Sequence, residues 1–540
     1  MRFWRSTVLI DRDNTSNMPR LIWRVAHHVL VAAVLLIAIQ RMGLVKRQVV
    51  HVAVEGNDWN SGTSDAPLRT IQAGLNRVAP GGEVVVHDGT YWERIHVRQS
   101  GLEQRRTTLR AEDPGGVLVS WFSKPVDFTD AKWRREGRFW RREVDWPVHV
   151  VKVEERYCYH ARFGVRSLEE LTARPGAQAA FSYANGELVL FVPDETPEET
   201  AIQWNREVPD PREWGEHQSA NVWIEANHVA IEGIEFQCGV GAGVRIWNGR
   251  DVSIKDCAFS GAALGVDAAH GNVPSEQLAV ERCLYHNYPQ HKWLRGWLPW
   301  ADIYANYDKS SLVKAVDEGT TIRDCVVTHF GDGMQLSSRT GQPADVSVKH
   351  NWLACGTDDA FEIEGPAAGV TVTGNLVVDC HESLGLSPVT HGPVKIEQNC
   401  FAHPRMTLNG AQLKFVPPER RAHEVIRNIL VRENVFVGNW GCWYAPDVQC
   451  ESIIVHSNQF FAARWNDPRF PTGVEERDNE FVSIDPTQEV LSSEGLTELV
   501  GDELREHFSR VVGPSWWNWE ERVETRELNA LRKEILKQAP

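Results

Sequence analysis

The sequence predicts an all-β chain wound as a parallel β-helix, a solenoid in which short strands stack coil upon coil. The first observation behind this is a recurring phrase: apolar, any, polar, any, Asn or Cys, any, apolar. It reads VSIKDCAF, LAVERCLY and TIRDCVV, then ADVSVKHNWL, GVTVTGNLVV, PVKIEQNCF, ILVRENVF, IIVHSNQF and VEERDNEF. The second is its spacing. The fixed position falls on Ile234, Cys257, Cys283, Cys325, Asn351, Asn375, Asn399, Asn434, Asn458 and Asn479, at intervals of 23, 26, 42, 26, 24, 24, 35, 24 and 21 residues. A period in the low twenties with strand-like alternation is the signature of coils that bury their apolar residues only by stacking on neighbours. The third is length. At 540 residues the chain exceeds what one compact core accommodates, and a solenoid escapes that limit by growing along one axis.

Residues 1–48 read as a polar leader followed by an export segment. Val29–Ile39 is an uninterrupted apolar run behind Arg20 and Arg24, the layout of a signal sequence. It is shorter than the roughly 20 residues of a full span. No A-x-A site follows, and Arg41, Lys46 and Arg47 come directly after, so a cleaved signal and a retained anchor both fit. The body is expected outside the cytoplasm, secreted or anchored, touching membrane only through this segment, and monomeric.

Residues 49–121 read as a strand, a turn cluster, a short amphipathic helix around Ile71–Val78 and the first coils. From 122 to 220 the phrase disappears. Alternating segments such as FWRREVDW and FSYANGELVLFVPDE, with a turn at Asn185-Gly186, predict an inserted antiparallel β module. Its Trp133, Trp140 and Trp146 fit either a carbohydrate-binding accessory or a lid. The main β-helix is expected over 221–486. Helical spacing in 487–540, around Trp516, Trp517 and Trp519, predicts a C-terminal helical cap over the open end.

A net charge of −16 excludes an ordinary nucleic-acid binder, which needs a basic field. The 22 Trp suit stacking on sugar rings as well as core filling. Ten Cys without a CxxC spacing exclude a zinc ribbon. Cys257, Cys283 and Cys325 share the Asn ladder position and are expected as stacked buried thiols, with disulfides as the alternative.

Three consecutive coils carry the candidate chemistry: HFGDGMQLSS, CGTDDAFEIEG and DCHESLGLSPVTHG. Asp332 follows Cys325 by 7 residues, and Asp358 and Asp359 follow Asn351 by 7 and 8. Equal offsets stack carboxylates about 5 Å apart, close enough to raise one another's pKa. That arrangement supplies a protonated acid beside an ionised base. Turn-forming Asp residues are the structural alternative. His381, 6 after Asn375, is expected on the same face, with Lys414 reaching it from the next coil. The 42-residue interval brings a loop with Trp293, Trp297, Trp300, Arg295 and Lys309, candidates for sugar stacking and charge contacts. Glu362 and Glu364 read as an outward polar face.

The stretch DAPLRTIQAGL followed by PGGEVVVHDGTY resembles the entry unit of the pectate-lyase-like superfamily of exported polysaccharide enzymes. That resemblance implies a right-handed helix. The site region resembles the polygalacturonase family of pectin hydrolases in Asp332-Gly333, Asp358-Asp359, the LGLS of Leu384–Ser387 and Gln412-Leu413-Lys414. It departs from that family in the place of His381 and in Gln412, which stands where the family has arginine. The resemblance implies an inverting glycoside hydrolase without cofactor or metal, acting on a polysaccharide or oligosaccharide. Asp358 or Asp359 would be its general acid, with Asp332 and the other Asp activating water. Two further functions fit the sequence. One is a uronate lyase with Lys414 or Lys349 as base and calcium held by the acids. The other is a non-catalytic glycan-binding solenoid.

Overall fold

The computed structural model describes residues 46–483 apart from 155, 162–166, 174–176, 194–195, 208–218, 271–273, 287–309, 339–344, 379, 387, 403–411, 416–423, 439–442, 445–447 and 463–469. The expected export segment, the aromatic loop with Trp293, Trp297, Trp300, Arg295 and Lys309, and the C-terminal cap all lie outside the described residues. What is described is a parallel β-solenoid with three strand stacks.

The first stack is a 13-stranded sheet running from Val49–Val52 to Val474–Arg477. All its pairings are parallel, and alternate residues such as Ile231, Ile254, Val280, Ile322, Val348 and Val372 fill the core. The second stack runs from Gly89–Tyr91 to Glu480–Ser483. Phe401, Phe436, Phe460 and Phe481 lie in register near its end, with ring centroids 5.0, 4.8 and 5.2 Å apart. The third runs from Ile95–Val97 through Ala220–Ile224 to Trp443–Tyr444 and carries the candidate site.

The recurring phrase is the corner between the first and second stacks. The residue just before each ladder position takes a left-handed backbone conformation: Asp256, Arg282, Asp324, His350, Gln398, Glu433, Ser457 and Asp478 all have φ between 49 and 59°. Gly233 and Gly374 do the same. One left-handed residue turns the strand sharply, and the next side chain then points into the stack. Where that side chain is Asn, its oxygen accepts from the backbone N–H of the ladder Asn one coil earlier. These bonds are 2.8 to 3.0 Å from Asn351 to Asn479. Asn351 likewise accepts from Cys325 N. Cys257, Cys283 and Cys325 are fully buried free thiols, the stacked arrangement the sequence predicts.

A short helix, Ile71–Arg77, covers the first coil with Ile71 and Leu75. Thr70 caps it, and the Glu93 carboxylate accepts from the Ile71 and Gln72 N–H groups, satisfying donors a helix start leaves open.

Between Phe122 and Asn205 the chain leaves the solenoid. Arg134–Glu136, Phe139–Glu143, Glu187–Phe191 and Ala180–Ala184 pair antiparallel, as do Val151–Val153, Arg156–Tyr157 and Ile202–Trp204. The solenoid closes behind this excursion without a gap, Val117–Ser120 pairing directly with Ile234–Gln237. Trp133 is buried in the excursion's own core, Trp140 stacks on Phe128 at 4.3 Å, and Trp146 donates to Asn205 O. These three Trp are therefore framework residues rather than a sugar platform. The excursion is keyed to the solenoid by Phe122, Tyr157 and Cys238, with Tyr157 Oη donating to Ser260 Oγ at 2.8 Å.

Candidate active site

The third stack sets the register of the candidate residues. Met334–Ser338, Asp359–Glu362, Glu382–Gly385 and Leu413–Lys414 are its successive strands. Asp359 is paired with Glu382, Phe361 with Leu384, and Gly385 with Lys414. Met334 is paired with Phe361, so extending that register back by two residues sets Asp332 against Asp359. The vertical pair above Asp332 is thus Asp359 and not Asp358. The offset of 7 misses this because the later coil carries one extra residue between Gly356, paired with Phe330, and Phe361, paired with Met334.

Asp332, Asp358 and Asp359 are 8, 5 and 2 % exposed, and one carboxylate oxygen from each lies within 4.8 Å of the others. Backbone bonds tie the coils at this point. Asp358 N donates to Gly331 O, Glu382 N to Asp358 O and Gly333 N to Asp359 O. Gln335 Nε2 donates to Asp332 Oδ2 at 3.1 Å. Lys414 Nζ lies 3.0 Å from Asp359 Oδ2, 2.7 Å from Glu382 Oε2 and 3.9 Å from Asp358 Oδ1. Gly385 is needed beneath this group, since a Cβ there would stand 2.4 Å from Asp359 Oδ2.

Glu382 is the residue that sequence reasoning passed over in favour of its neighbour. His381 is half-buried on the same coil, its N–H donating to Gly356 O. Glu382 is the one in contact with Asp359 and Lys414. The signal was present: Glu382 follows Asn375 by 7 residues, the same offset that singles out Asp332 and Asp358. Burial, then the Asp359 charge, push the Glu382 carboxyl up to about 8, with Lys414 opposing. Lys414 is held well above its ordinary range by Asp359, Glu382 and Asp358, against the effect of burial. The site therefore sets one carboxyl raised toward the neutral range, that of Glu382, against a second, that of Asp359.

Gln412 is 1 % exposed and turned inward, accepting from Ser383 Oγ at 2.5 Å and donating to Val437 O. It faces the scaffold, where the resemblance implies a substrate-clamping arginine. Lys349 sits at the exposed end of a first-stack strand, on a different sheet from the acids. Glu362 and Glu364 are half-buried rather than a fully outward face, and Glu362 stacks between Gln335 and Gly385. The Asp332, Asp358 and Asp359 carboxylates converge closely enough to share one cation, and Lys414 Nζ stands beside them, 3.0 Å from Asp359 Oδ2.

No family model matches the chain. An uncharacterized protein of Bacillus subtilis, YwoF, is 32% identical over 71 residues, covering 13% of this chain and 15% of that protein. Pectate lyase PEL9 of Emericella nidulans is 31% identical over 72 residues, covering 13% of this chain and 18% of that enzyme. The chain thus aligns with under a fifth of either relative's length. Among solved structures, one described as the complex of XylC with xylose superposes with a TM-score of 0.54 at 13% identity, covering 82% of this chain and 87% of that one. The fold is the pectate-lyase-like parallel β-helix. These similarities fix the architecture and leave the chemistry to the residues.

Proposed function

We propose that this β-helix is a glycoside hydrolase acting by double displacement, with Glu382 as general acid and base and Asp359 as nucleophile. The observation that carries the reading is the register pair Asp359–Glu382, whose oxygens both lie within 3.0 Å of one Lys414 nitrogen. Oxygens sharing one ammonium at those distances are at most about 6 Å apart, short of the roughly 6.5–9.5 Å that admits a water between the two carboxyl groups of inverting enzymes. The inverting outcome implied by the polygalacturonase resemblance is set aside on this ground. The raised Glu382 carboxyl supports the assignment, because a general acid must carry its proton near neutrality. Asp359 Oδ2 is oriented by Lys414, and its buried Oδ1 accepts no hydrogen bond among the described residues. Asp332 and Asp358 complete the carboxylate cluster around Asp359.

A carbohydrate substrate agrees with the described neighbours, one a pectate lyase and one bound to xylose. The aromatic residues Trp293, Trp297 and Trp300 with Arg295 and Lys309 are proposed as further sugar contacts, and the apolar run Val29–Ile39 as the means of export. With no ion among the aspartates, Asp359, Glu382 and Asp358 hold Lys414 well above its ordinary range, which counts against it as the base of a lyase in that form.

The test is turnover of a panel of nitrophenyl glycosides and plant, algal and animal polysaccharides, with the anomer of the first-formed product read by NMR. Retention, with Glu382→Gln losing unactivated substrates and regaining aryl-glycoside turnover in azide, is the expected result. Inverted product would refute double displacement. Unsaturated uronate absorbance would establish a lyase instead.

A further inference from the structure

We propose that Lys414 is a positioning residue, the fixed counter-charge for the negative charge that moves between Asp359 and Glu382 during the reaction, rather than a substrate contact. This rests on the double-displacement reading above. The ammonium has three N–H donors, and three carboxylates stand within 3.9 Å of it. Its side chain is only 20% exposed. It arrives from the coil after Glu382 by passing over Gly385, the one position beneath it where a Cβ would collide with Asp359.

In the first step an Asp359 oxygen bonds to the anomeric carbon, the bond to the leaving oxygen breaks, and the Glu382 proton passes to that oxygen. Asp359 is now an uncharged ester and Glu382 a carboxylate. In the second step a water oxygen bonds to the anomeric carbon, the ester bond breaks, and the water's proton passes to Glu382. In both resting forms one negative charge on the Asp359–Glu382 pair stands beside Lys414. It changes residue while the ammonium, already between the two, has no need to move. Stabilisation that requires no reorganisation at the moment of reaction is the most effective electrostatic kind.

The charged and titratable groups around this nitrogen are Asp358, Asp359 and Glu382. Tyr444 is its strand partner on the following coil, and Asp332 is held one coil earlier by Gln335. Removing the ammonium takes away the cation that opposes the rise, so Glu382 should bind its proton more tightly.

The experiment compares wild type, Lys414→Met and Lys414→Arg on whichever nitrophenyl glycoside of the panel the wild type turns over, with thermal melts confirming folding. Expected for Lys414→Met is a kcat loss of about 100-fold or more. Its KM should change little, its alkaline limb should move to higher pH, and Lys414→Arg should recover part of the rate. A raised KM with kcat and the limb unmoved would overturn the assignment and make Lys414 a substrate contact. Labelling of wild type by the matching 2-deoxy-2-fluoro dinitrophenyl glycoside separates the two ideas. A label on Asp359 with an unaltered Lys414→Met profile sinks only the role of Lys414. A wild type that turns over substrate with inversion sinks the double displacement and the counter-charge together.

Discussion

Glu382 keeps a proton at pH 7 because it is buried and faces the Asp359 charge, and that places its titration inside the working range of an enzyme. The group is active when protonated, so kcat/KM should hold through neutrality and fall as pH rises past about 8. Replacing Asp359 by Asn removes the second cause of the shift, so the limb in the residual activity should move to lower pH. A pH–rate profile of both proteins on an unactivated substrate of the panel, whose leaving oxygen needs the Glu382 proton, checks this, and an unmoved limb would mean another group sets it. Gly385→Ala should lower kcat at least tenfold by displacing the Asp359 carboxylate, with little change in melting temperature if the side chain yields. The three aspartates were legible from their offsets after the ladder residue. Glu382 carried the same offset and was overlooked beside a histidine, and the depth to which it is buried is a property of the stack that no linear spacing shows.

A single coil corner explains why the repeat could be read at all. The left-handed residue, the inward Asn and the flanking apolar positions are one local device, and each copy writes the same short phrase into the sequence. The excursion from Phe122 to Asn205 has no such device, so its strands were visible only as alternation, and the burial of Trp133 could not be told from exposure. The corner also predicts energetics. In Asn399→Ala, Val372 O and Glu397 O lose a donor and Asn375 N loses its acceptor, all inside the stack. A destabilisation on the order of 3 kcal/mol is expected, read as a shift in urea midpoint. Cys283→Ser should cost less, because the thiol makes only long contacts of 3.4 and 3.6 Å to carbonyls.

Taken whole, the molecule is a stack whose coils touch chiefly their immediate neighbours, so its stability should vary along the axis instead of being shared evenly. Amides of the central strands Val348–Val378 should exchange with solvent more slowly than those of Val474–Arg477 and Glu480–Ser483, whose side chains are mostly exposed. Hydrogen exchange read by mass spectrometry tests this, and uniform protection would point to a single cooperative unit. The Asn column gives the stack one more property. Each amide from Asn351 to Asn458 offers its oxygen to the coil before and its NH₂ to the oxygen of the coil after. Strand dipoles in a sheet largely cancel, but these side-chain dipoles all point one way, positive end toward the later coils, and polarise one another in series. The solenoid is therefore electrically directional along its length, and an Asn cut from the middle of the column should weaken the bonds on both sides of the gap where one cut from its end weakens only one.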